Sequence, residues 1–191
     1  MTPPIRTARL DLVPAAAAHL AAELDGPAAL ARALRVRVPD EWPPDLYDRA
    51  AVEFSLVTAQ HTPAEDACWL FYYLVLREDD GFGPTAIGVG GFKGPPEEAQ
   101  VEIGYSVLDA YRRRGFASEA ARGFLRFAFQ APEVGTVVAE TFPELAPSIG
   151  VLENCGFRLV GAGSEEGSIR FAINRTEWQL RLFAAAGEAR T

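Results

Sequence analysis

The chain has 191 residues, of which 49% are hydrophobic and 23% charged, enough for one sizeable core and too apolar for a disordered segment. Its formal net charge of -8 and pI near 4.8 would repel nucleic acid and anionic lipid over most of the surface, so neither is an expected partner. No apolar run approaches the roughly 20 residues of a membrane span, and "MTPPIRTARL" lacks the apolar stretch of a secretion signal; a single domain over 1–191, soluble and cytoplasmic, is expected.

In chain order, "RLDLV" (9–13) alternates as a half-buried strand does, and Pro14 closes it before the helix-favouring "AAAAHLAAEL". A second helix, "AALARALRV", follows Gly26-Pro27. Residues 39–66 begin as a proline-broken loop and become helical near Asp45. They carry seven acids (Asp40, Glu41, Asp45, Asp48, Glu53, Glu65, Asp66) against Arg49, a pattern that suits a solvated face as well as a cation-binding one. "CWLFYYLVL" (68–76), "TAIGVGGFK" (85–93) and "VEIGYSV" (101–107) read as antiparallel strands, with a turn in "EDDGFGP". A helix over 118–129 has a buried side through Ala117, Ala121, Phe124, Leu125 and Ala128; Gly123 inside it points to close packing against a neighbour. "TVVAE" (136–140) is a strand, "PSIGVLENC" (147–155) a helix ended by Gly156, and "FRLVGA" and "SIRFAIN" (168–174) two more strands. Thr176 with Gln179 fits a capping box for a terminal helix, beyond which "AAAGEART" frays. Seven strands interrupted by helices predict a mixed α/β (α+β) sheet covered on both faces.

Metal chemistry is not expected: Cys68 and Cys155 are far apart without paired spacing, and His19 and His61 belong to no motif. Both thiols suit the core, as do Trp69, Phe71, Tyr72 and Tyr73. The chemistry concentrates in "VEIGYSVLDAYRRRGFASEA" (101–120). A strand running through a Gly-containing turn into a helix presents backbone N–H groups with no internal acceptor, an anion trap favoured by the helix dipole. Gly115 permits close approach, Phe116, Ala117 and Ser118 open the helix, and Arg112, Arg113 and Arg114 can grip phosphate oxygens. The pattern is neither a dinucleotide fingerprint nor a P-loop, having one glycine and no Gly-Lys-Ser/Thr.

Together, "VEIGYSVLDAY", "RRRGFASEAARGFLRFAF" and "SIGVLENCGFRLVG" resemble the GNAT family of acetyl-CoA-dependent N-acetyltransferases, and "IRTARLDLVP" resembles the start of its ribosomal-protein N-terminal acetyltransferase branch. The likeness runs from residue 5 to about 178. It implies a mostly antiparallel seven-stranded sheet splayed between the fourth and fifth strands, with acetyl-CoA in the splay. The pantetheine arm would pair with backbone near Tyr105 and Val107, and the pyrophosphate would rest on 112–118. Glu102 would deprotonate a primary amine, of a small molecule or a protein N-terminus, for direct transfer in a ternary complex. A Val107 amide freed by a strand bulge would hold the oxyanion. Many relatives carry a tyrosine and an asparagine where this chain has Leu152 and Leu145; Ser148, Tyr105 or water must then supply the proton, although Ser148 equally suits a helix cap. Trp42, Asp45 and Tyr47 would line the acceptor site, offering carboxylate and rings to an ammonium group. Homodimers are frequent among relatives. The alternatives are a non-catalytic acetyl-CoA-binding regulatory module and an interaction domain whose arginine turn binds an acidic protein.

Overall fold

The structure, a computed structural model, describes residues 2–78 and 81–188. Its eight strands form one sheet in the order β1-β2-β3-β4-β5-β6-β8-β7, with six α-helices among the described residues. The strands are β1 (Ile5–Arg6), β2 (Leu10–Pro14), β3 (Phe71–Leu76), β4 (Thr85–Phe92), β5 (Gln100–Val107), β6 (Thr136–Thr141), β7 (Arg158–Ala162) and β8 (Ile169–Asn174). The helices are α1 (Ala17–Leu24), α2 (Pro27–Leu34), α3 (Arg49–His61), α4 (Phe116–Ala128), α5 (Ala146–Cys155) and α6 (Arg175–Glu188).

The sheet is the expected mixed one with one more strand than predicted, because two-residue β1 is too short to show alternation; it pairs with β2 through Ile5↔Leu12. Helix α3 starts four residues after Asp45, capped by the Asp48 carboxylate, which accepts from the Ala51 amide. The capping box of α6 also differs from the predicted Thr176–Gln179 pair. Asn174 Oδ1 accepts from the Glu177 amide and Glu177 Oε2 from the Asn174 amide, so the helix begins two residues earlier. The turn at 78–84 falls in part on residues outside those described, 79–80; α6 runs on to Glu188, through five residues of the tail expected to fray, and 189–191 lie outside the described residues.

Every strand pair is antiparallel except β5 with β6. That parallel ladder runs only from Gln100↔Thr136 to Glu102↔Val138, after which the strands part. The two sheet faces follow from strand alternation. On the front face, Tyr73 and Phe71 meet α1 and the 39–48 segment through Glu23 and Tyr47. On the back face, Tyr72 and Phe92 pack edge-on against Phe124 of α4, each with ring centroids 5.5 Å apart. A fully buried phenylalanine contributes about 1.5–3 kcal/mol. This one reaches the sheet because Gly90 beneath it has no side chain: a Cβ there would lie 3.1 Å from the Phe124 ring and 2.8 Å from the Gly104 carbonyl. Gly123 likewise lets β1 and β2 approach, with Leu12 2.9 Å from its would-be Cβ, as its place in the helix predicts. Helix α4 is thereby fixed across the back of the sheet with its N-terminus beside the parting of β5 and β6.

Candidate active site

Strand β5 carries both sides of the site. Residues Gly88–Phe92 pair with Val107–Ile103 in unbroken register, and Lys93 N–H bonds Glu102 O while Leu108 N–H bonds Ile87 O. By antiparallel alternation, even-numbered residues of β5 turn their backbone groups to β4 and odd-numbered ones turn theirs towards β6. At Tyr105 and Val107 β6 has already diverged, so these amides face the open splay. Strand β5 itself carries no extra residue in its ladder with β4; the irregular step is in β4, where Leu74↔Gly88 is followed by Val75↔Ala86 and Ile87 is the extra residue, beside the Gly88↔Val107 pair. The Val107 amide faces the cleft because the neighbouring strand leaves.

The turn into α4 follows the anion-trap pattern. Gly115 is the N-cap at φ 80°, a left-handed conformation that favours glycine, and no side chain caps the helix. The amides of Phe116, Ala117 and Ser118 thus open a helix whose first turn lacks internal acceptors. Arg113 also has positive φ, 57°, and is exposed. The Arg114 guanidinium lies over Phe116 (5.1 Å) and Tyr111 (5.6 Å), a stacking that leaves its N–H edge for an anion. A depression of about 550 Å³ adjoins this turn, lined by Arg9, Gly115, Ser118, Glu119, Arg122 and Arg126.

Arg112 behaves differently from its neighbours. Its Nε donates to Val107 O (3.1 Å), one terminal nitrogen contacts Asp109 (2.7 Å) and the other Asp45 (2.9 Å). The Asp45 carbonyl also accepts from Ser106 Oγ at 2.7 Å. Arg112 and Ser106 together fasten the 39–48 segment to the front of β5.

That segment's other anchor is Glu23 of α1, a residue without signal in the sequence. Its carboxylate accepts from Trp42 Nε1 (2.6 Å), Tyr73 OH (2.6 Å) and Tyr47 OH (3.1 Å). Burial raises its pKa, and the three hydrogen bonds pull it partly back. Trp42 and Tyr47 are consequently only 7% and 5% exposed. They do not present rings to an incoming ammonium as the sequence suggested; they hold the loop that displays Asp45.

Glu102, Gly104 and Ser106 alternate along the front of β5. A side chain at Gly104 would meet nothing within 4 Å, so open space lies directly over this stretch. Glu102 points to that face and forms an ion pair with Lys93, which follows β4. The contact is an ion pair rather than a well-angled hydrogen bond, and solvent-shielded Glu102 Oε1 has hydrogen-bonding capacity left. On the back face, Tyr105 OH donates to Ser148 O at 3.4 Å. Burial raises the Tyr105 pKa, slightly offset by that bond. Ser148 is the third residue of α5, whose N-cap, Leu145, makes no side-chain cap, so the Ser148 hydroxyl does not open the helix as a cap would. Leu152 is buried. The Cys155 thiol, pushed up to about 11 by burial despite Arg122 and Arg181, contacts Ser118 O and suits the core.

Beyond the splay, Glu140 of β6 fixes the hairpin between β7 and β8. It accepts from the Ser164 amide (2.9 Å) and hydroxyl (2.8 Å) and from Arg170 Nε (2.8 Å). By register Glu140 shares the front face with Glu102, so this hairpin and the 39–48 segment flank the open floor. Among the described residues no group of His, Cys, Asp or Glu could hold a metal, and no helix is long and apolar enough to cross a membrane.

Comparison with known proteins agrees with this geometry. The acetyltransferase (GNAT) domain matches residues 9–158. The FsC-acetyl coenzyme A-N(2)-transacetylase of Aspergillus fumigatus is 32% identical over 93 residues, covering 44% of this chain and 39% of that protein. Alignments span 38% and 49% of the next two curated relatives, so this chain matches less than half the length of each of these three. Among solved structures, an acetyltransferase from Agrobacterium tumefaciens superposes with a TM-score of 0.63 at 21% identity, covering 92% of this chain and 96% of its own. Mycobacterium smegmatis RimJ in complex with CoA-disulfide superposes at 0.61 and 20% identity, covering 97% and 98%. These structural likenesses concern the fold.

Proposed function

Because the chain belongs to the GNAT acetyltransferase family, we propose that it is an acetyl-CoA-dependent N-acetyltransferase acting on a primary amine of a small molecule or a protein N-terminus. The observation that carries this reading is the parting of β5 and β6 beside an uncapped helix terminus, with a carboxylate on the open front floor. The CoA-disulfide in the M. smegmatis RimJ structure supports a carrier of the same class.

The residues divide the work by sheet face. Backbone amides of 116–118, with Arg113 and Arg114, hold the diphosphate; the splay-facing backbone of Tyr105 and Val107 pairs with the extended arm. The Val107 amide stabilises negative charge developing on the carbonyl oxygen. From the front, Glu102 accepts a proton from the acceptor ammonium, directly or through one water. The amine nitrogen then bonds to the carbonyl carbon and gives up its second proton to water, the carbon–sulfur bond breaks, and the thiolate takes a proton. Tyr105 and Ser148 lie on the sulfur's side of the sheet, where either hydroxyl, or water, serves as donor. Asp45, held by Arg112, supplies negative charge for a cationic acceptor.

Thiol release from acetyl-CoA with a panel of primary amines tests the proposal, and amine-dependent release is the expected result. Buried Leu152, where relatives carry tyrosine, favours one competing reading, a carrier-binding module without turnover. Heat on titration with CoA but no release with any amine would establish that module; neither signal would remove the carrier as well.

A further inference from the structure

The turn between β1 and β2 reaches the start of α4 through Arg9. The Arg9 backbone N–H and Nε both donate to the Glu119 carboxylate, at 2.6 and 2.7 Å, and Nη1 donates to the Arg114 carbonyl at 3.0 Å. Thr7 of the same turn is a third donor to Glu119. The Arg9 guanidinium lies 4.3 Å from the centroid of Phe116, the ring on which Arg114 also rests. A segment far away in sequence is thus fastened to the cradle turn and to the first turn of its helix.

Two features make Arg9 more than a brace. All three guanidinium nitrogens of Arg112 have partners, in Val107, Asp109 and Asp45. Arg9 has one to spare: Nη2 meets no hydrogen-bond acceptor among the described residues and lies 3.4 Å from where a Cβ on Gly115 would stand. It borders the gap that the glycine leaves beside the amides of 116–118. Charge points the same way. The guanidiniums of Arg9 and Arg114, held to one ring, repel each other, and Glu119 supplies a single opposing charge. The depression next to the turn repeats the imbalance, with Arg9, Arg122 and Arg126 against Glu119. The uncompensated charge suits an anion with several oxygens.

We infer that Arg9 is a third arginine of the diphosphate seat, beside Arg113 and Arg114, donating through Nη2 to the acetyl carrier; the inference rests on the acetyltransferase reading above. Nε and Nη1 stay on Glu119 and on the Arg114 carbonyl, so the planar fork is oriented before the phosphate arrives and little side-chain freedom is lost on binding. A lysine has one nitrogen and cannot serve all three partners in fixed directions. The diphosphate, rather than the 3′-phosphate of the carrier, is the partner, because Gly115 adjoins the helix amides assigned to the diphosphate.

Calorimetric titration of the full chain with CoA and with dephospho-CoA, which keeps the diphosphate and lacks the 3′-phosphate, tests the assignment. Arg9→Gln should weaken both ligands about 10-fold, as expected for one hydrogen bond to a charged group, and the loss should shrink as salt is added. Arg9→Lys keeps a cation at the turn and should recover part of that loss. Glu119→Gln breaks the ion pair from its other end while leaving the guanidinium in place, and should bind both ligands as tightly as the parent. Equal weakening by Arg9→Gln and Glu119→Gln would overturn the inference by showing that Arg9 only braces the turn. Weakening confined to CoA would move Arg9 to the 3′-phosphate and overturn it as well. Unchanged titrations of Arg9→Gln, beside a parent that binds CoA, would overturn it and leave the acetyltransferase function standing. A parent that gives no heat with either ligand would remove the carrier reading itself.

Discussion

Filling the space over Gly104 tests where the acceptor sits. An alanine Cβ at this position meets no atom within 4 Å, and the residue does not need positive φ. Gly104→Ala should therefore be free of strain and should stabilise by about 0.4–1 kcal/mol through the unfolded chain. For a domain of this size that raises the melting temperature by roughly 1–4 °C. Gly104→Leu projects a branched side chain over the floor between Glu102 and Ser106, where the proposed reaction brings the amine. Displacement of a reacting group by about 1 Å can cost on the order of 10²-fold, so kcat/KM for amines should fall by at least that factor. CoA affinity should stay within about two-fold, because the seat proposed for the carrier uses main-chain groups on the splay and the start of α4. Thermal unfolding, calorimetric titration with CoA and the thiol-release assay provide the three readings. A folded leucine variant with unchanged kcat/KM for every accepted amine would refute the placement of the acceptor on the front face.

Three further outcomes are expected. Glu102→Gln should lower kcat about 10²-fold or more with little effect on CoA affinity, measured by steady-state kinetics beside titration; an unaltered rate removes this carboxylate from the reaction. Arg112→Gln should raise the amine KM more than it weakens CoA, whereas Arg114→Gln should do the reverse, because Arg112 is already engaged by Asp45, Asp109 and the Val107 carbonyl; equal effects on CoA would refute this division. Burial would raise the pKa of Glu140, but hydrogen bonds from Ser164 and the Arg170 guanidinium lower it from 4.5 to about 2. Its stabilisation is complete above the unfolded value and is lost as pH falls from about 5 towards 2. At about 1.4 kcal/mol per pH unit the upper bound is roughly 3 kcal/mol, and solvent beside the partly exposed Arg170 reduces the expectation to about 1–2. Denaturant titrations of Glu140→Gln and the parent at pH 7 and 3 should show the difference shrinking at the lower pH; a constant difference would contradict the ion-pair account.

The order of elements and the cradle turn are legible because they depend on local signals: alternation in β5, Gly115 before α4, and helical spacing with Gly123 at a close crossing. Long-range register is not local. That Lys93 faces Glu102 follows from β4 pairing with β5, and nothing within "GGFKGPP" or "VEIGYSV" fixes that pairing. Glu23 reads as one acid in an alanine-rich helix until three donors from separate elements converge on it. The same limit explains Trp42 and Tyr47: aromatic residues in an acidic loop suggest a cation site, whereas a buried carboxylate elsewhere draws their polar atoms inward. The bulge is displaced for a related reason: the extra residue, Ile87, lies in β4 beside Val107, while the Val107 amide loses its partner through divergence of β6.

The parting of β5 and β6 joins two chemically separate halves. In the proposed function main-chain amides and the α4 turn serve the carrier from behind, while the 39–48 loop and the β7–β8 hairpin stand in front on unrelated supports. On that proposal, exchanging either front loop would alter what can dock there and leave the carrier's seat almost untouched. Such a scaffold could move from one amine to another through a few loop substitutions, each judged by its fit to the newcomer instead of by its effect on the thioester.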